Sequence, residues 1–407
     1  MAIFAFSVLI SFFSSMSKVL VPGATFSALQ TDFGCSAALL TAIGSVYMYA
    51  YALSQFALGL FSDRCGGVRI ILVGGSLFAL GSLIVPMVPG PYSMMFARAL
   101  TGFGAGTIFV CHSKLINDLF PKNFTTVLGV VLFIGYLGPI AGGLPTVWLV
   151  EHFSWRPVML ACALPSALAM LSIWCLKKGT LKPILPGTAV GGLRAVFSSA
   201  DGLRIFFVSS IGFGIYYAIL TGVGQKALED SMGMSRYAAS GIITMLACLT
   251  AIQNLLAGFI QKLFGCHRKF LAVLYASLTL FGTLLGAYAF VLKQQNATTS
   301  LAPILLTAAY FICAIPAGGF SLYGGIIKGL YPEKYVSLSL SMLNFAAFVL
   351  IAVCGNIASA VLKSFAKESA NGIYPPAAYM TLFILLGGLA FIALVSSIRA
   401  KLPKKTA

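Results

Sequence analysis

Twelve uninterrupted apolar stretches dominate this chain, each about the length needed to cross a lipid bilayer. They fall near residues 4–29, 37–61, 70–88, 92–116, 124–149 and 155–176, and resume near 205–226, 237–261, 270–292, 301–327, 335–362 and 376–398. A helix needs about 20 apolar residues to span the hydrocarbon core, and the 407 residues hold twelve such crossings with short loops between them. Composition agrees. Only 9% of residues are charged, against about 25% in a soluble domain. That excludes a cytosolic enzyme, a secreted domain and a disordered protein. The 42 glycines and 32 phenylalanines suit helices buried in lipid, where glycine lets backbones approach. The first run lacks a basic leader and a small-residue cleavage site, so it reads as a span rather than a signal peptide.

The net charge of +17 would suggest nucleic acid if it lay on one face, but the 26 Lys and Arg are scattered through the loops. They carry topology instead. With the N-terminus inside, 18 of them fall on cytoplasmic segments and 6 on the opposite side, with Lys18 and Arg98 inside spans. Both termini are therefore expected in the cytoplasm. The nine cysteines form no CxxC, and His112, His152 and His267 have no metal-holding spacing. No metal, cofactor, nucleic-acid partner or enzymatic nucleophile is expected.

The two halves echo each other. Gly59-Leu60-Phe61-Ser62-Asp63-Arg64-Cys65-Gly66-Gly67-Val68-Arg69 follows the second run, and Gly258 through Arg268 follows the eighth, with Gly59/Gly258, Gly66/Gly265 and Arg69/Arg268 at one offset. Leu119-Phe120-Pro121 and Leu330-Tyr331-Pro332 make a second echo. The expected organisation is a six-helix bundle over 1–176, a cytoplasmic loop over 177–204, a second six-helix bundle over 205–398 and a short basic tail over 399–407. Repeats of this kind mark transporters whose site lies near the midplane.

These residues resemble the major facilitator superfamily over essentially the whole chain. The resemblance rests on Gly59, Asp63, Arg64 and Gly66 in the loop after span 2, on Arg98-Ala99-Leu100-Thr101-Gly102-Phe103-Gly104-Ala105-Gly106 in span 4, and on the six-plus-six repeat. It implies twelve transmembrane helices in two pseudo-symmetric bundles. It also implies gate or coupling roles for Gly59, Asp63, Arg64, Gly66, Arg69 and Arg98. The family's basic pair after the second glycine is replaced by Gly67-Val68, with Arg69 one place later. Gly138-Pro139-Ile140-Ala141-Gly142-Gly143 resembles an element of the proton-linked exporters, although packing alone also explains it.

A charge inside the bilayer is costly and marks a functional candidate. Lys18 falls near the middle of the first run, where it can anchor an anion, pair with another side chain or snorkel outward. Of nine acidic residues, none falls mid-span, and Glu229 and Asp230 read as loop charges. His112 and Lys114 are placed at the cytoplasmic rim. Tyr47, Tyr51 and Gln55 share one helical face. With Tyr217, Gln253, Asn254, Tyr310 and Asn344 they supply hydrogen-bonding walls. Tyr51 through Gly59 resembles the organophosphate and organic-anion branch, with Gln55 where that branch carries a substrate lysine; a carboxylate is thereby favoured over a phosphate ester. The expected function is secondary transport of a small organic anion by alternating access, with a coupling proton or a counter-substrate. A multidrug exporter is the alternative. A monomer in a bacterial inner membrane is expected.

Overall fold

The computed structural model describes residues 1–35, 37–177, 189–264, 268–295, 301–365 and 373–402. They are helical almost throughout, with no strand among them. Long helices follow the order of the apolar runs: α1 (Ala2–Leu20), α2 (Ala37–Cys65), α3 (Gly67–Ile84), α4 (Pro91–Leu119), α5 (Phe124–Ala141), α6 (Trp155–Leu176), α7 (Ala200–Ala218), α8 (Arg236–Phe264), α9 (Arg268–Gln295), α10 (Leu301–Gly318), α11 (Val336–Ser364) and α12 (Pro376–Arg399). Among the described residues, 11 helices are long and apolar enough to cross a membrane. The remaining one, α2, is 29 residues long, and several of its side chains lie outside the described set. The all-helical membrane architecture expected from the sequence is the one observed.

Several runs are broken. α1 ends at Leu20, where Val21 is extended ahead of Pro22. Proline has no N–H to continue a helix, and the chain restarts through a 3₁₀ turn, Gly23–Thr25, and a short helix, Phe26–Phe33. α5 stops at Ala141 and resumes after the Gly142-Gly143 pair as Leu144–Phe153. α10 stops at Gly318 and resumes as Phe320–Leu330. α7 runs through a π-helical turn, Ile219–Val223, into Gly224–Met232, with the Gly224 N–H donating to the Ile219 carbonyl. A Cβ on Gly224 would lie 2.3 Å from that oxygen. The polar break after α6 carries a helix, Ala189–Ser198, and α7 begins at Ala200 rather than 205.

Contacts divide the chain into two compact units, residues 1–196 with 331–345, and 197–330 with 346–407. Within the first, α4 packs on α1, α2 and α3, and α6 packs on α1 and α3. Within the second, α10 packs on α7, α8 and α9, and α12 packs on α7 and α9. The same five pairings recur six helices later, which is the structural counterpart of the sequence echo.

Span 4 shows how the first unit is drawn together. Gly102 and Gly106, one turn apart, face α2. A Cβ on Gly102 would lie 2.3 Å from the Tyr47 carbonyl oxygen, and one on Gly106 would lie 2.5 Å from that of Tyr51. Gly104, between them, faces α3 instead, 2.2 Å from the Phe78 nitrogen on the same construction. Small residues on both faces let α4 approach two helices at backbone distance. A single residue, Gly66, joins α2 to α3 at φ 78°, a conformation that costs a residue with a Cβ.

Candidate functional site

The close α2–α4 contact fixes the backbone of Tyr47 and Tyr51, which α-helical spacing places on one face. Their rings stack, with centroids 6.4 Å apart and planes 21° from parallel. The Lys18 Nζ lies 4.4 Å from the Tyr51 centroid. The Arg98 Cζ lies 4.1 Å from the Tyr47 centroid. Two stacked rings, each with a cation over it, make a four-side-chain column. Cations are drawn to ring faces by the aromatic quadrupole. The Tyr47 hydroxyl donates to the Ser14 carbonyl at 3.1 Å, and the Tyr51 hydroxyl is hydrogen-bonded with Asn344.

Lys18 is not midway along one continuous helix. The break at Pro22 places it in the last turn of α1, half-buried. Arg98 is 1% exposed. It donates to the Ser17 carbonyl and Oγ, both at 3.0 Å, and to the Val21 carbonyl at 2.9 Å. These carbonyls close the C-terminal end of α1, where the helix dipole is negative. Arg98 therefore clamps α4 to the end of α1, and its hydrogen-bond acceptors among the described residues are all neutral. The column thus carries two cations over a neutral, aromatic floor.

The other sequence candidates take separate places. Gln55 is fully buried and donates to the Gly106 carbonyl, fastening α2 to α4. Asn344 is 6% exposed, and its Nδ2 has no hydrogen-bond partner. In the second unit, Asn254 donates to the Thr250 carbonyl at 2.9 Å, one turn back on α8. Gln253 abuts Gly318, where a Cβ would lie 2.0 Å from its Oε1. The Tyr310 hydroxyl is committed to the Gly224 carbonyl at 3.0 Å, and its ring stacks on Phe383. Tyr217 packs against Phe213 and borders a cleft of ≈ 590 Å³ with Lys226, Lys363 and Tyr374.

Of the gate candidates, Arg69 lines a ≈ 290 Å³ pocket with Met1, Phe4 and Asp118, and its buried Nη1 has no hydrogen-bond partner. Gly59, Asp63 and Arg64 lie on α2 with side chains outside the described residues. Gly138 sits at the crossing of α5 with α1, where a Cβ would lie 2.4 Å from the Phe12 carbonyl oxygen, and Pro139 lies inside α5.

A further reading from the sequence is corrected. Asp230 is not a loop charge. It lies on Gly224–Met232 with its side chain 3% exposed, 2.6 Å from Lys226. It accepts from the Tyr379 hydroxyl at 2.7 Å and the Tyr374 N–H at 3.0 Å. The Lys226/Asp230 spacing of four was the available signal, hidden because the π turn extends the helix. His112 is buried beside the first turns of α1. It is 2% exposed, 3.1 Å from the Ser7 Oγ and edge-on to Phe4. No group of three or more His, Cys, Asp and Glu that would hold a metal occurs among the described residues.

The sequence profile described as the Major Facilitator Superfamily matches residues 4–292. A gallate transporter of Pseudomonas putida is 31% identical over 160 residues, 39% of this chain and 36% of that protein. The multidrug efflux pump LfrA of Mycolicibacterium smegmatis is 32% identical over 149 residues, 35% of this chain and 29% of that protein. The chain thus spans about a third of the length of these relatives. Among solved structures, the proton:xylose symporter XylE superposes with a TM-score of 0.72 at 16% identity, over 99% of this chain and 96% of that one.

Proposed function

Because this chain belongs to the Major Facilitator Superfamily, we propose that it carries a small organic anion across the membrane by alternating access, with Lys18 as the charge that selects the anion. The observation that carries this reading is the column of Lys18, Tyr51, Tyr47 and Arg98. Arg98 is committed to the end of α1. Lys18, half-buried in the last turn of α1, is the cation placed to meet a solute, beside an aromatic face and the Asn344 amide. A planar carboxylate suits that geometry: its charge meets the ammonium and its ring lies along Tyr51. Such burial of an apolar body with a few convergent polar groups is the usual form of a small-molecule site. Similarity to a gallate transporter supports the class, since gallate is an aromatic carboxylate.

Asp63, Arg64 and Arg69 are proposed as gate parts. The two six-helix repeats are proposed to move as bodies. Tyr310 is assigned to packing, because its hydroxyl holds the Gly224 carbonyl, whereas Gln55 keeps a buried Oε1 with no hydrogen-bond partner and is proposed as a polar contact. A second reading, efflux of lipophilic drugs, is favoured by the likeness to LfrA and by the Gly138-Pro139 element.

The test is counterflow in liposomes holding the purified protein, with labelled hydroxybenzoates, aliphatic carboxylates, sugar phosphates and a lipophilic cation. Flux of a carboxylate that internal substrate stimulates, with half-saturation raised at least about tenfold in Lys18→Gln, is expected from the loss of one charge-assisted contact. Carboxylate flux unaltered in Lys18→Gln removes the anchor. Movement of the lipophilic cation alone hands the case to efflux.

A further inference from the structure

We propose that Arg98 and Ser82 form a buried site for a chloride-sized monovalent anion, separate from the Lys18–Tyr51 face. Three observations in the first unit converge on it. The Arg98 guanidinium uses its terminal nitrogens on Ser17 and Val21, whereas its buried Nε has no hydrogen-bond partner. The Ser82 Oγ, also buried, has none either. That is unlike its neighbours, because Ser76, Thr101 and Ser166 all donate back to their own helices. Both residues line one small pocket of ≈ 30 Å³, with Ser17 and the apolar walls Phe13, Phe78 and Met159.

The chemistry of that cavity selects its occupant. Buried polar groups of this kind are satisfied in native proteins, and the volume is enough for a small guest. Its polar groups are an N–H and hydroxyls, and its one charge is a buried guanidinium whose hydrogen-bond acceptors are neutral. A buried charge without a counter-ion is strongly disfavoured. A halide removes that imbalance, accepting from Nε and from the Ser82 hydroxyl, whereas a water satisfies the hydrogen bonds and leaves the charge. The occupant would touch α1, α3, α4 and α6 together, so its binding stabilises the packing of the first unit.

The experiment is thermal unfolding of the purified full-length protein in detergent, in sodium chloride, bromide, gluconate and sulfate at matched ionic strength. A saturable rise in melting temperature with chloride and bromide, absent with gluconate and sulfate, is expected. Ser82→Ala shifts the chloride midpoint upward by about tenfold or more, as loss of a hydrogen bond to an ion does. Crystals soaked in bromide show an anomalous peak between Arg98 and Ser82. Identical melting in chloride and gluconate, a wild-type chloride midpoint in Ser82→Ala, or bromide peaks only elsewhere overturns the proposal and leaves water at the site. None of these readouts involves transport, so they stand or fall apart from the role given to Lys18.

Discussion

Gly102→Ala tests whether backbone contact between α4 and α2 sets the site. The added Cβ would lie 2.3 Å from the Tyr47 carbonyl oxygen, 2.9 Å from its Cα and 3.0 Å from its carbonyl carbon. Ordinary contact begins at 3.4 Å, so α2 must retreat by roughly 1 Å, the shortfall that overpacking forces on neighbouring backbone. No flexible side chain is available to absorb it, because every clashing atom is backbone. Overpacking of a tight interface costs about 1–3 kcal/mol, and the upper end applies here. The retreat also carries Tyr47 away from Arg98, now 4.1 Å from its ring centroid. Gly135→Ala is the control, since its nearest neighbour, the Ser15 Oγ, would lie at 3.5 Å. It should remain within about 1 kcal/mol of wild type, near the intrinsic helical difference between the two residues. The assay is unfolding of both variants by heat and by titration with a denaturing detergent, beside counterflow of the carboxylate substrate. A Gly102→Ala protein as stable as wild type, or a Gly135→Ala protein equally damaged, would refute the reasoning.

Three further outcomes are expected. Arg98→Lys keeps the charge but not the planar fork, so the links to Ser17 and Val21 cannot both be kept and stability falls by about 2 kcal/mol, read as a lower unfolding midpoint. Asp230→Asn removes the charge that Lys226, Tyr379 and Tyr374 share, and costs about 1–3 kcal/mol, discounted because Lys226 is partly exposed; the check is the unfolding midpoint, with substrate half-saturation unchanged. Tyr310→Phe frees the Gly224 carbonyl and costs about 1 kcal/mol, again without moving half-saturation; a large rise in half-saturation would return Tyr310 to the binding surface.

The helices were legible because lipid imposes one rule on every span: apolar side chains outward and backbone paired within. Their interruptions were not. A glycine pair such as 142–143 or 318–319 is a break in one context and a close contact in another, and hydropathy does not separate the two. Arg98 shows the same limit. Its place within a span and its motif position marked it for packing and coupling, yet its partners are mainly backbone carbonyls of α1, which no side-chain pattern reveals. Tyr47 and Tyr51 were read correctly as one face, because spacing by four decides that. That the same face is bracketed by Lys18 and Arg98 depends on where α1 ends, and Pro22 was the only hint. The Gln55 Nε2 is taken by the Gly106 carbonyl, a partner made available by the absence of a side chain at 106, while its Oε1 has no hydrogen-bond partner.

The π turn at Ile219–Val223 is, in effect, one residue inserted into a helix. Each residue advances an α-helix by about 100°, so removing one from this turn would rotate everything beyond it by that angle. Asp230 would swing off Tyr379 and Lys226 would turn with it, while the apolar pattern of the span stayed intact. The reach of this carboxylate is thus decided by a count of residues a full two turns upstream, and length variation there would reset its contacts without touching a single charged position.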